Sequence, residues 1–124
     1  MGQRLTPTRE TVEAYLDALN AHDADRVASW VAPDFVNEHT AKGAVSRHGR
    51  AAYRAALDTF LADFADLHYA VEAVIADGPN CAVPYRMTAV LDGRPLDIRG
   101  VFVFVVNADA LIARRTDYWD SANV

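Results

Sequence analysis

The 124-residue sequence holds a single cysteine, Cys81, which excludes an intramolecular disulfide and any cluster of thiolate metal ligands. It also lacks a basic tract. The longest Lys/Arg run is the pair Arg114-Arg115, and 17 acidic against 12 basic residues leave a net charge of −5. No nucleic-acid partner is expected from such a balance. Long hydrophobic runs are missing too: the longest, residues 101–106, is far too short to span a bilayer, so no membrane partner is expected. The opening Met1-Gly2-Gln3-Arg4-Leu5-Thr6-Pro7 has no apolar core of a secretory signal. Gly2 with Thr6 only weakly matches a myristoylation pattern, and nothing else supports an anchor. A soluble, cytoplasmic protein is the expectation. There are no internal repeats and no low-complexity tract. With 52% apolar residues the chain is too hydrophobic for disorder, and its length suits one domain over 1–124.

What is present divides into a helical first half and a stranded second half. Thr6-Pro7 makes a cap and first-turn pair, followed by Val12, Tyr15, Leu16 and Leu19 on one helical stripe. The helix ends over Asn20-Ala21-His22-Asp23, and Asp23 can cap a short second helix carrying Val27, Trp30 and Val31, stopped by Pro33-Asp34. Residues 35–39 read as a short extended segment and residues 40–49 as a loop with a mobile middle. A third helix begins near Arg50, with Tyr53, Ala56, Leu57, Phe60, Leu61 and Phe64 on one face.

Strands are expected over 67–76, 81–91, 96–106 and 111–120, separated by Asp77-Gly78-Pro79-Asn80, Asp92-Gly93-Arg94-Pro95 and Asn107-Ala108-Asp109. Pro84 cannot donate to a ladder, which predicts an edge, an end or a bulge there. The apolar run in 96–106 predicts burial on both faces. Helices first and a meander of strands afterwards give an α+β layout, helices packed on a curved antiparallel sheet.

The last strand carries the most informative residue. Alternation puts Leu111, Ala113, Arg115, Asp117 and Trp119 on one face, and Ile112, Arg114, Thr116, Tyr118 and Asp120 on the other. If the first face lines a core or cavity, Asp117 is an acid in a low-dielectric setting, with a raised pKa suited to proton transfer; if the strand end is exposed, it is simply solvated. Phe35, Asn37 and His39 share one face of the short strand, so His39 and Asp117 can form an acid–base pair with pKa values near working pH if that face looks inward. His22, His48 and His68 read as surface residues, and the four histidines show no metal-ligand spacing. Trp30, Phe35, Tyr53, Phe60 and Trp119 are cavity or core aromatics. With Ile98 and Gly100 facing inward, Arg99 points outward.

Three stretches, Tyr15-Leu16-Asp17-Ala18-Leu19-Asn20-Ala21-His22-Asp23, Gly100-Val101-Phe102-Val103-Phe104 and Thr116-Asp117-Tyr118-Trp119-Asp120, resemble the nuclear transport factor 2-like superfamily in this element order. The likeness covers nearly the whole chain. It is nearest the SnoaL-like polyketide cyclase branch, with ketosteroid isomerases and limonene-epoxide hydrolases as relatives. It implies a cone-shaped curved antiparallel or mixed sheet wrapped by three N-terminal helices, a cystatin-like roll with an apolar pocket. Asp117 is similar to the last-strand carboxylate of the epoxide hydrolases and cyclases, whereas Met87 and Ala89 stand where the hydrolase keeps an Arg and a second Asp, which disfavours epoxide hydrolysis. Tyr15 resembles the isomerase tyrosine that binds an enolate oxygen, though its helical spacing equally suits packing. His39 falls at the place of the isomerase base and Gly100 at that of its second oxyanion donor.

The resemblance implies a cofactor-independent enzyme of isomerase, cyclase or hydrolase type acting on a small apolar ketone-, enol- or polyketide-like molecule. Asp117 and His39 are its catalytic residues. Tyr15, Asn37, Trp30, Phe35, Tyr53, Phe60, Met87 and Trp119 contact the substrate, with Asn37 or Tyr15 steadying an oxyanion. The competing reading is a non-catalytic hydrophobic-ligand binder; a protein–protein module ranks below both. A homodimer is expected from the superfamily.

Overall fold

The computed structural model describes residues 6–41 and 46–120; Gly2 and the middle of the 40–49 loop lie outside the described residues. Three helices, α1 (Thr6–Asn20), α2 (Ala24–Ser29) and α3 (Arg50–Asp63), accompany seven strands. These are β1 (Val31–His39), β2 (Arg47–His48), β3 (Phe64–Val71), β4 (Ile75–Asp77), β5 (Asn80–Leu91), β6 (Arg94–Val106) and β7 (Ile112–Trp119). They form one curved, unclosed sheet in the order β2-β1-β7-β6-β5-β3, with β4 also on β5. β1 runs parallel to β7 and every other pairing is antiparallel, so the sheet is mixed.

The expected stripe of α1 is buried: Val12 and Tyr15 are 0% exposed, and Leu16 and Leu19 join them. Thr8 Oγ1 donates to the Gly78 carbonyl and Thr11 Oγ1 to that of Ala110, tying α1 to two turns of the sheet. Asp23 caps α2, its carboxylate accepting from the Arg26 N–H at 3.2 Å. α2 ends at Ser29, one turn earlier than expected. Val31 opens a strand instead, because its ladder to Ile112 wins over helical spacing. Pro33 then falls in the register shift of β1 between Val31 and Val36, where a missing N–H costs no ladder bond.

Five other expectations change. Arg47 and His48, read as loop, form the two-residue edge strand β2 on β1. Phe64 starts β3 rather than ending α3, and the strand expected over 67–76 is interrupted at 72–74. Pro84 lies inside β5, with β6 beside it. Its carbonyl accepts from the Glu72 N–H at 2.9 Å, so its nitrogen faces the gap between β3 and β4, where no donor is needed. Finally, β6 is buried on one face only. Ile98, Phe102, Phe104 and Val106 are buried, while Val101, Val103 and Val105 stay half-buried on the outer side.

Burial of the inner aromatics stabilises this arrangement by about 1.5–3 kcal/mol per side chain. Tyr85 and Phe102 stack at 4.3 Å between centroids, and Tyr69 meets both rings at 5.1 Å. Asp92-Gly93, with φ of 52° and 77°, makes the tight turn that sets the long β5–β6 register.

Candidate active site

Register brings the polar residues together. In the parallel β1–β7 ladder Asn37 lies beside Arg115 and His39 beside Asp117, two residues apart on one face. That face looks into a cavity of about 450 Å³. Its polar end carries Asn37, His39, Arg115 and Asp117. Its apolar wall includes Leu57 and Phe60 of α3, Met87 of β5 and Trp119 of β7. A size and polarity of this kind suit a small ligand.

Asp117 is 5% exposed. Tyr85 Oη donates to its Oδ1 at 2.6 Å, and His39 Nδ1 lies 3.7 Å from its Oδ2. Tyr85 reaches it across Gly100: a Cβ at Gly100 would stand 2.5 Å from Tyr85 Oη and 2.8 Å from the Tyr118 carbonyl. Glycine at this place is what lets the phenol approach the carboxylate. Burial raises the Asp117 pKa above the usual carboxylate range, against the opposing pull of the Arg115 charge and the Tyr85 hydrogen bond. The Thr40 N–H and hydroxyl both donate to the Asp117 carbonyl, fixing the strand end.

Arg115 is 5% exposed and holds the second half of the network. Its Nε donates to Asn37 Oδ1 at 2.9 Å and its Nη1 to Tyr15 Oη at 3.0 Å. Tyr15 and Tyr53 share a hydroxyl–hydroxyl bond of 2.5 Å. The guanidinium also sits 4.8 Å over the Phe102 ring. Tyr53 and Tyr69 both have raised pKa values, chiefly through burial, so both remain neutral donors.

His39 departs from the expectation of an imidazole titrating near working pH. Burial first, then the charges of Arg115 and Arg47, push it down to about 4. Between about pH 4 and 6.5 the unfolded chain's imidazole therefore binds a proton that folded His39 does not. Stability rises with pH across that window and is lost on acidification, by about 3 kcal/mol at 1.36 kcal/mol per unit. Urea denaturation in half-unit pH steps is expected to show His39→Gln lacking this one-proton slope; an identical slope in both proteins would contradict it.

The cavity thus brings together Asp117, His39, Asn37, Tyr53, Phe60, Met87 and Trp119 from the sequence-based set. It does not include Tyr15, Trp30 or Phe35. Tyr15 and Phe35 are fully buried behind it, Phe35 against the Tyr53 ring at 4.8 Å. Trp30 caps α2 and accepts from the Ile112 N–H through its carbonyl. Among the residues that hydrogen-bond the polar end, Arg115 and Tyr85 have no site role in the sequence reading. Each stands two residues from a named one, Asp117 and Met87, so period-two extension along β7 and β5 would have found them.

The β7 alternation holds for Arg115, Asp117 and Trp119 but fails before them. A register shift between Val105 and Val106 turns Ile112 inward, 0% exposed, in place of Leu111 and Ala113. His22, His48 and His68 are exposed, and among the described residues no three His, Cys, Asp or Glu side chains gather in metal-holding geometry. Arg99 points outward to Glu72 at 2.9 Å. Among the described residues, His39 Nδ1 and Trp119 Nε1 are the buried side-chain polar atoms without a hydrogen-bond partner, each an arrangement costing about 1–3 kcal/mol.

A SnoaL-like domain model matches residues 12–115. No curated protein matches the sequence. Among solved structures, the chain is similar to a candidate ketosteroid isomerase from Kribbella flavida, with 28% identity over 93% of this chain and 78% of that one and a TM-score of 0.77. It is similar to RV0760c from Mycobacterium tuberculosis in complex with estradiol-17beta-hemisuccinate, with 24% identity over 94% and 96% of the two chains and a TM-score of 0.84. A further match is an LEH-like epoxide hydrolase from Mycobacterium tuberculosis, at 22% identity over 98% and 88% and a TM-score of 0.86. At these identities the last two speak for the fold alone. No helix among the described residues is long and apolar enough to cross a membrane.

Proposed function

We propose that this chain, which belongs to the SnoaL-like domain family, is a cofactor-independent enzyme that moves a proton on a small apolar ketone or enol, with Asp117 as the base. The observation that carries this is the buried Asp117 carboxylate at the polar end of an otherwise apolar cavity, held by Tyr85 at 2.6 Å. Asp117 takes a proton from the carbon next to a carbonyl, the C–H electrons become the C=C bond, and the carbonyl oxygen becomes an enolate. Tyr53 and Arg115 are the cavity donors suited to that oxygen. Tyr53 stands at the end of a chain of hydrogen bonds from Arg115 through Tyr15, which favours its hydroxyl as a donor. Returning the proton to another carbon completes an isomerisation; attack of the enolate carbon on a second carbonyl of the same molecule, whose π electrons move to its oxygen and whose oxygen takes the proton back from Asp117, completes a cyclisation.

His39, neutral at working pH, serves as a partner of Asp117 rather than as a second titrating group. Phe60, Met87 and Trp119 hold the apolar body of the substrate. The estradiol ester in the Mycobacterium tuberculosis structure is the class of molecule this reading favours. Epoxide hydrolysis is not proposed: Met87 and Ala89 on β5 are both buried apolar side chains, so that strand bears no second carboxylate to act with Asp117 on an attacking water.

That same apolar wall favours a second reading, a binder that retains a hydrophobic ligand unchanged. Incubation with apolar ketones followed by mass and NMR analysis separates the two. A changed product supports the enzyme, and tight retention with full recovery of the starting ligand contradicts it.

The half-buried Val101, Val103 and Val105 with the exposed Tyr118 support a homodimer through the outer sheet face. Light scattering is expected to give twice the chain mass; a monomer mass would rule the dimer out.

A further inference from the structure

We propose that Asn37, oriented by Arg115, fixes the tautomer of His39, so that the ring carries its proton on Nδ1 and directs it at Asp117 Oδ2. The argument starts from a group with no freedom of role. A guanidinium only donates, so the 2.9 Å contact from Arg115 Nε assigns the oxygen of the Asn37 amide to that side. The amide nitrogen then faces His39, with Nδ2 at 3.5 Å from Nε2. An amide nitrogen also only donates. Nε2 must therefore present its lone pair, and a neutral imidazole with a free Nε2 carries its hydrogen on Nδ1.

The other ring nitrogen agrees. Nδ1 is buried, has no hydrogen-bond partner, and looks at Asp117 Oδ2 across 3.7 Å. With the proton there, a closure of several tenths of an ångström makes a hydrogen bond to a carboxylate. With the proton on Nε2 instead, an N–H would oppose the Asn37 amide hydrogens and a lone pair would oppose the carboxylate. Both contacts would be repulsive.

The inference rests on Asp117 being the base and extends that reading. Tyr85 holds Oδ1 and His39 attends Oδ2, so both close donors to the carboxylate are neutral groups. A ring already protonated on Nδ1 cannot accept, at the nitrogen that faces Asp117, the proton that the carboxylate captures. The proton stays on Asp117 until it is returned to substrate. Asn37 and Arg115 are positioning residues in this scheme, acting on the base through His39.

The test is the imidazole nitrogen spectrum of ¹⁵N-labelled protein at neutral pH, with His39 assigned by its loss in His39→Gln. The expected result is an unprotonated, pyridine-type Nε2 and a protonated Nδ1. Asn37→Asp keeps an oxygen acceptor for Arg115 and puts a charged oxygen acceptor where the amide donor faced Nε2, so Nε2 is expected to gain a proton in that variant. A protonated Nε2 in the wild-type protein, alone or in an imidazolium, overturns the proposal. So does an Nε2 that stays unprotonated in Asn37→Asp. Should that variant not fold, the wild-type spectrum alone decides. The spectrum needs no substrate, so a failed tautomer prediction leaves the reading of Asp117 to be judged by turnover.

Discussion

Turnover of an enolisable apolar ketone is expected to fall by about 10²–10⁴-fold in Asp117→Asn, the range that a positioned acid–base group contributes. The substitution keeps the shape of the side chain and an oxygen that can accept from Tyr85, which now approaches at 2.6 Å. It removes the basic oxygen next to His39. Binding of the apolar body depends on residues such as Phe60, Met87 and Trp119, so KM is expected to change far less than kcat. Near-ultraviolet circular dichroism is expected to keep its native signature, since the aromatic cluster of Tyr69, Tyr85 and Phe102 remains packed. Turnover within threefold of the wild-type protein would remove Asp117 from the chemistry.

The second large effect is on stability. Arg115→Met is expected to cost about 3–5 kcal/mol, the range for breaking a buried charged network by removing one member. The methionine fills much of the same space over Phe102, so a cavity is not the main cause. The cause is what Arg115 leaves behind. Asn37 Oδ1 and Tyr15 Oη lose their donor, and Asp117 loses the cation that holds its pKa down. The neighbouring residue supplies the control. Arg114 pairs with Glu38 at 2.7 Å on the outer, solvated face, where such pairs contribute little. Urea denaturation at neutral pH is expected to shift strongly for Arg115→Met and slightly for Arg114→Met. Equal shifts would contradict the role given to Arg115.

The contrast between Arg114 and Arg115 also shows what could be read in the sequence. Local periodicity is enough for α1, for most of α3 and for grouping Arg115, Asp117 and Trp119 on one face, because the stripe through Val12 and Leu19 and the alternation on β7 are set by neighbouring residues; which way that face looks is not. The pairing of β1 with β7 joins residues nearly 80 positions apart, as the Asn37–Arg115 bond across 78 positions illustrates. No local pattern encodes that parallel register. It is the register, however, that turns a lone asparagine, histidine, arginine and aspartate into one network. The bulge before Arg114 has no local signature for the same reason. It appears only as an unequal count opposite Val105 and Val106, and it exchanges Ile112 for Leu111 and Ala113 on the inner face. Aromatic character suits Trp30 and Phe35 to a cavity, and the isomerase resemblance places Tyr15 there. Burial behind the cavity wall satisfies the same character, and only packing separates the two outcomes.

The pH behaviour of the pair follows from placement as well. A histidine beside an aspartate ordinarily gains a proton more easily. Here Arg115 and Arg47 share the space with His39, and burial adds to their effect, so the ring is driven to the neutral form. The carboxylate is driven the other way, up from its usual range. A site with a neutral imidazole and a carboxylate of enhanced basicity is arranged for one-base chemistry.

The most direct measurement is deuterium uptake from D₂O into the position next to the carbonyl of a panel of apolar ketones, followed by NMR with the wild-type protein and with Asp117→Asn. Uptake accelerated by the wild-type protein and abolished in the variant is the predicted result. Equal uptake in the two proteins, or none above the uncatalysed rate across the panel while the ketones bind, would contradict the assignment of Asp117 as a catalytic base.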